Sequence, residues 1–307
     1  MNGKAGRHDA GREGRWADLV AGFCRFSYLG KSDWSALRLR RPDEAEFQDR
    51  ARLLFDDARL AARFAAFERI CLPSILAQDD PRFVMVVITS PDLPPHWMAR
   101  LRDLCAQSET LHLEVVADRD LNRGLGPLLQ DMTAMAGRNL IQFRLDDDDA
   151  LSSDAVPRLR RLADRMADLP EFGISMANGL SVAVYPDRPV IPLRHDLPFL
   201  GAGLAVRLRD PRRSIFVIGH FAVARRMTHI VDRGPPGTLV LKWPSDSRPI
   251  DLDRLPPGFA PLDEAGFRSE LAARFPWLTP QDFAELRDIA AAARSALVAT
   301  AAASHHR

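Results

Sequence analysis

The sequence predicts a doubly wound α/β fold on a mostly parallel sheet flanked by helices, and three observations carry that expectation. Apolar runs of strand length alternate with amphipathic helical stretches through the first half of the chain, the order expected of βαβ units. The run Phe83-Val84-Met85-Val86-Val87-Ile88 shows no polar alternation, as a strand covered by helices on both faces requires. The 307 residues, 46% of them hydrophobic, are enough for one large core or two modest ones.

Residues 1–15 are polar and glycine-rich and read as a frayed tail outside the fold. Leu19 to Phe26 is a first strand, and Ser27 to Asp33 has the glycine and small polar residues of a loop. From Asp43 a helical pattern carries Phe64, Phe67 and Cys71 on one stripe, breaks near Pro73 and ends at Gln78-Asp79-Asp80-Pro81. After the strand at Phe83–Ile88, Trp97, Leu101 and Leu104 mark a helix from Pro94 to Gln107. Leu113–Val116 is a strand; Leu128, Met132 and Met135 mark a helix; Leu140–Leu145 is a further strand; and Val156, Leu159, Ala163 and Met166 give one more helix. Beyond Pro170 the strands shorten among prolines and glycines, with Val182 and Val184 alternating and Ile215–Ile218 forming a second apolar run. Helix returns after Ala260 and ends in the alanine-rich Ile289–Ala303 segment. The organisation expected is a tail (1–15), a main domain (16–245) split into halves at 155/156, and a helical C-terminal extension (246–307).

Lys plus Arg number 42 against 41 Asp plus Glu, a net charge of +1, so no global field points to nucleic acid or an anionic membrane. Cys24, Cys71 and Cys105 are odd in number, far apart and without a C-x-x-C pair, which argues against a disulfide framework or a zinc site and for a reducing compartment. The opening residues lack an apolar leader core, and no run reaches the roughly 18 apolar residues of a membrane span. The expectation is a cytoplasmic protein that meets a membrane only peripherally, through a partner.

The segment that carries chemistry is Phe143-Arg144-Leu145-Asp146-Asp147-Asp148-Asp149, four carboxylates at the carboxyl end of a central strand, the edge where open α/β sheets bind ligands. Four adjacent aspartates repel one another and need a cation, backbone N–H groups or solvent in compensation. Hard oxygen ligands favour Mg²⁺ or Mn²⁺, which keep coordination positions open for phosphate oxygens. The alternative is a solvated loop that caps the next helix, although Ser152, Ser153 and Asp154 stand closer to that helix start.

Cys71-Leu72-Pro73-Ser74-Ile75-Leu76-Ala77-Gln78-Asp79, the strand Val84–Ile88, Gly124-Leu125-Gly126 and Gln142 to Asp149 together resemble the GT-A glycosyltransferases. Arg25-Phe26-Ser27, the Leu-Pro-Ser-x-x-x-Gln segment and the Arg-x-Asp-Asp-Asp-Asp run look more narrowly like a bacterial rhamnosyltransferase group, over about Val20 to Trp243. The resemblance implies a GT-A fold, a nucleoside-diphosphate sugar donor, a glycan or other hydroxyl acceptor, and a Mn²⁺ or Mg²⁺ ion on an Asp-x-Asp motif. That motif falls on Asp146 and Asp148, with Asp147 and Asp149 as neighbours for the ribose or a second metal position. Two departures stand out: Thr89-Ser90-Pro91-Asp92 occupies the place where many relatives carry a base-contacting aspartate just after the second strand, and the second half has no Glu-Asp motif to supply a catalytic base.

Arg25, Ser27 and Lys31, at the end of the first strand and in its loop, offer a guanidinium, a hydroxyl and an ammonium to a pyrophosphate or base, or are surface residues. Arg144 either balances the aspartates or reaches the nucleotide. His220, after Ile215–Ile218 and a glycine, is a candidate late metal ligand or donor to the leaving phosphate if that run is a strand whose end converges on the aspartates; otherwise it is structural. Aspartate-based phosphoryl transfer is disfavoured, because Lys242 is the only lysine after Lys31, and Gly124-Leu125-Gly126 lacks the third glycine of a dinucleotide fingerprint. The non-enzymatic alternative is a nucleotide-sugar-binding module that kept the fold without the chemistry.

Overall fold

The computed structural model describes residues 20–31, 44–136, 140–243 and 249–304; the expected tail at 1–15, with Leu19, Ser32 and Asp33, lies outside the described residues. In chain order the first half holds β1 (Val20–Arg25), α1 (Glu44–Leu54), α2 (Asp57–Ala66), a π-helical turn (Phe67–Cys71), α3 (Leu72–Leu76), β2 (Val84–Thr89), α4 (Pro95–Cys105), β3 (Leu111–Val115), α5 (Leu121–Gly124), α6 (Gly126–Ala136) and β4 (Ile141–Asp146). There follow β5 (Ala150–Leu151), α7 (Ala155–Asp164), β6 (Phe172–Met176), β7 (Asn178–Ala183), β8 (Ile191–Asp196) and β9 (Ala205–Arg207). The chain closes with α8 (Val223–Arg226), β10 (His229–Asp232), β11 (Thr238–Lys242), β12 (Phe259–Pro261), α9 (Glu264–Arg274) and α10 (Pro280–Ser304).

The mostly parallel sheet expected from the apolar runs is present. Seven strands lie in the order β10-β6-β9-β4-β1-β2-β3, and only β9 runs antiparallel to its neighbours. All six residues of β2 are buried because one helical layer covers each face: Met85 and Val87 pack with Phe64 and Leu101, and Val86 and Ile88 with Leu125 and Leu129. Strand order reverses at β1, which has β4 on one side and β2 on the other, and that is the switch point where a crevice opens beyond the strand ends.

A second, five-stranded sheet (β12-β8-β7-β11-β5) packs Leu180, Val182, Leu239, Leu241 and Trp243 against Phe267, Phe275 and Phe283 of the C-terminal segment. Strand β5 begins directly after the aspartate run and pairs with β11, so the four aspartates are the crossing from the first sheet to the second.

Two local expectations are corrected. Pro73 does not break the helical stretch: it stands in the first turn of α3, where its missing N–H costs little, and the irregularity is the π turn before it. Ile215–Ile218 is not a strand but a 3₁₀ turn at Ile215–Val217. Its backbone is held by side chains instead of a ladder: the buried Gln142 amide donates to Arg213 O (2.8 Å) and accepts from Ile215 N (2.8 Å), and Asn122 Oδ1 accepts from Ser214 N (3.0 Å).

Candidate functional site

Arg25 and Asp146 are register partners at the carboxyl ends of β1 and β4, so the sheet itself brings the first strand's arginine beside the first aspartate. Asp146 Oδ1 lies 3.9 Å from Arg25 and 3.7 Å from Arg144, and its side chain is 42% exposed. Phe216, on the 3₁₀ turn, orients both cations: its ring centroid is 5.0 Å from the Arg25 guanidinium carbon and 5.3 Å from that of Arg144. The Phe23 ring meets Phe216 edge-on at 6.5 Å and fixes it from below. Gly201 closes the rim; a Cβ there would stand 3.7 Å from Arg144 and 3.9 Å from Asp146. The loop that carries it is tied to the sheet by Gly203 N donating to Arg144 O (2.9 Å) and Arg144 N donating to Leu204 O (3.0 Å).

Burial in the crevice raises the Asp146 carboxyl, but Arg144, Arg25, Arg63 and His220 outweigh it and hold the group below the usual carboxylate range. His220 therefore acts on Asp146 although the strand expected to deliver it does not exist; it opens a second 3₁₀ turn, His220–Ala222, and its ring meets Phe221 at 4.2 Å. The Arg144 Nε is buried and has no hydrogen-bond partner among the described residues.

The other three aspartates turn inward. Asp147 is 1% exposed, its Oδ2 accepting from Arg63 Nε at 3.2 Å and its Oδ1 in ion-pair contact with the same guanidinium; Asp148 Oδ2 accepts from Arg63 Nη1 at 2.8 Å and from the Trp243 indole N–H at 2.9 Å; and Asp149 Oδ1 accepts the Leu241 amide at 3.2 Å. Ser27 is buried in the left-handed region (φ 46°), its hydroxyl accepting from Arg59 at 3.2 Å. Burial pulls the Arg59 guanidinium down to about 9, with Arg63 adding to it. Of the residues expected at the site, Arg25, Arg144 and Asp146 thus converge, while Ser27, Asp147, Asp148 and Asp149 are engaged in packing. Among second-half acids, Asp196 is paired with Arg233 and Asp232 with Arg158.

Gln78, the last residue of the Leu-Pro-Ser-x-x-x-Gln segment, anchors the chain beyond the aspartates. Its amide nitrogen donates to Ser74 O and Ser152 O, each at 2.8 Å, and its oxygen accepts from Val156 N at 2.9 Å at the start of α7. Asp154, the residue at the N-cap position, makes no cap bond because its carboxylate serves Arg274 and Ser152.

Sequence reasoning missed Arg63, Trp243 and Phe216. Arg59 and Arg63 lie one turn apart beside the apolar stripe of Leu60, Phe64 and Phe67, and cations flanking a buried face were the available signal for the first. T-shaped contacts of Phe26 with Phe64 (4.6 Å) and Phe67 (5.3 Å), each worth about 0.5–1.5 kcal/mol beyond burial, seat that helix over the end of β1.

Residues 19–251 match the family described as "Putative rhamnosyl transferase". No curated protein matches the sequence. Among solved structures that match, the crystal structure of S. aureus TarS aligns at 11% identity and a TM-score of 0.31, covering 72% of this chain and 36% of its own, a likeness too slight to carry an argument. The chain thus spans little more than a third of that structure's length.

Proposed function

The chain belongs to this rhamnosyl transferase family, and from that premise we propose that it transfers a sugar from a nucleoside-diphosphate donor, with rhamnose the sugar the family name favours, to a hydroxyl acceptor at the crevice between β1 and β4. The observation that carries the proposal is the convergence of Arg25 and Arg144 on the half-exposed Asp146 at the sheet's switch point.

In such a transfer the acceptor hydroxyl oxygen bonds to the anomeric carbon and gives up its proton to solvent, while the carbon–oxygen bond to the diphosphate breaks and the diphosphate leaves with the electron pair. Arg25 and Arg144 donate to the phosphate oxygens as that charge develops, and fixed guanidiniums do so without reorganisation.

A divalent cation fits part of the expected set. Mg²⁺ and Mn²⁺ are commonly bound through one or two carboxylates, with substrate phosphates and water completing the shell. Asp146 is ionised and accessible and suits such an open site; Asp148 is engaged by Arg63 and Trp243 and does not. Asp146 would hold the ion, and the ion when bound would neutralise charge on the diphosphate.

The test is calorimetric titration of nucleoside diphosphates with and without Mn²⁺, followed by release of diphosphate from a panel of donor sugars that includes a rhamnose donor. Binding that needs Mn²⁺ and is lost in Asp146→Asn is expected. Equal binding in EDTA overturns the metal role, and no diphosphate release from any donor overturns the transferase reading.

A further inference from the structure

Arg63 spans the aspartate run from α2. Its side chain is 14% exposed; it grips both oxygens of Asp147, donates to Asp148 Oδ2 at 2.8 Å, and lies 5.5 Å from the Trp243 ring centroid, while the same Asp148 oxygen takes the Trp243 indole N–H at 2.9 Å. One cation thus compensates two adjacent carboxylates, and a planar fork with fixed donors is the group that can do so. The contact also joins α2, the end of β4 and the end of β11 at one point. With Asp147 and Asp148 drawn to this side and Asp149 bonded to Leu241 N, Asp146 is left as the carboxylate that faces Arg25 and Arg144.

We propose that Arg63 is a positioning residue of the donor site: by holding Asp147 and Asp148 it selects Asp146 as the one carboxylate of the run presented to ligand. The inference rests on the donor-site reading above and extends it to a residue that acts through Asp147 and Asp148. Without the guanidinium, two buried carboxylates lose their counter-charge, and a divalent cation becomes their available partner.

The experiment compares the full chain with Arg63→Gln, Arg63→Lys and Arg63→Gln combined with Asp147→Asn and Asp148→Asn. Free Mn²⁺ is followed by electron paramagnetic resonance without nucleotide, alongside thermal melting and donor kcat and KM. Arg63→Gln is expected to bind Mn²⁺ at least about tenfold more tightly than the parent, to melt lower, and to lose about tenfold in kcat, the size found when groups orienting a metal ligand are removed. Lysine keeps the charge without the fork and restores melting in part but not kcat. The triple variant restores melting and returns Mn²⁺ affinity to the parent's level, and it decides the matter if Arg63→Gln alone does not fold. Parental Mn²⁺ binding and kcat in folded Arg63→Gln, or a triple variant that melts no higher than the single one, overturns the proposal. Should the parent release no diphosphate from any donor, the donor-site reading fails by itself, while Mn²⁺ capture and recovery of melting still decide what Arg63 holds.

Discussion

Asp146 and Asp148 are alike in spacing and opposite in setting, so neutralising each in turn separates ligand chemistry from stability. In Asp148→Asn, Trp243 keeps an acceptor, but the charge-assisted bond from Arg63 is weakened at a side chain only 9% exposed. Charge-assisted bonds contribute roughly 1.5–3 kcal/mol. Arg63 retains Asp147, so the loss stays below the roughly 3–5 kcal/mol of stranding a buried charge. We expect a destabilisation of about 2–3 kcal/mol, which at roughly 2 °C per kcal/mol for a chain of this size lowers Tm by about 4–6 °C. Asp146→Asn removes a carboxylate that is 42% exposed and 3.7–3.9 Å from its cations. Pairs of that kind contribute about 0–1 kcal/mol, so Tm moves by no more than about 2 °C. Urea and thermal unfolding in EDTA at neutral pH, with nucleoside diphosphate titration of both variants, make the assay: Asp146→Asn keeps its fold and loses ligand, and Asp148→Asn loses stability first. An Asp148→Asn protein as stable as the parent, or an Asp146→Asn protein that melts more than about 2 °C below it, refutes the division of the run into one presented and three packed carboxylates.

Two further outcomes follow from groups away from the crevice. Burial, with Lys242 adding to it, holds the His195 imidazole down to about 4, so between that value and the ordinary value near 6.5 the unfolded chain binds the extra proton. Stability is therefore full above the ordinary value and falls by roughly 2 kcal/mol between pH 7 and pH 5; His195→Gln should flatten that part of the urea-stability profile, and an unchanged slope sinks the assignment. Gln78→Ala removes three hydrogen bonds at a buried side chain. The expected cost is roughly 2–4 kcal/mol, with weaker donor binding because Ser152 is no longer pinned after the aspartates; a parental melting curve would count against it.

The first sheet was legible because its signal is local. β1, β2 and β4 are apolar runs whose neighbours match the period of helices, and the acidic run marks the edge where a ligand belongs. What was not legible depends on side chains distant in sequence. Nothing local to Asp148 says that Arg63 and Trp243, 85 and 95 residues away, will claim it. Ile215–Val217 has strand composition, yet Gln142 and Asn122 satisfy its backbone, and a tertiary bond of that kind leaves no trace in periodicity. The strand expected to carry His220 to the sheet edge is therefore absent, and the residue opens a 3₁₀ turn instead.

The passage from β4 to β5 takes only Asp147, Asp148 and Asp149. Three residues have too little slack to absorb a relative shift of two sheets, so a force that tilts β11 is felt at Trp243, at Asp148 and, through the shared peptide, at Asp146. Under the proposed transferase reading, an acceptor seated against the second sheet would change the grip on the donor, and linkage requires the reverse to the same degree. A substitution along β11 is therefore expected to be felt at the carboxyl end of β4 as well as in the second sheet.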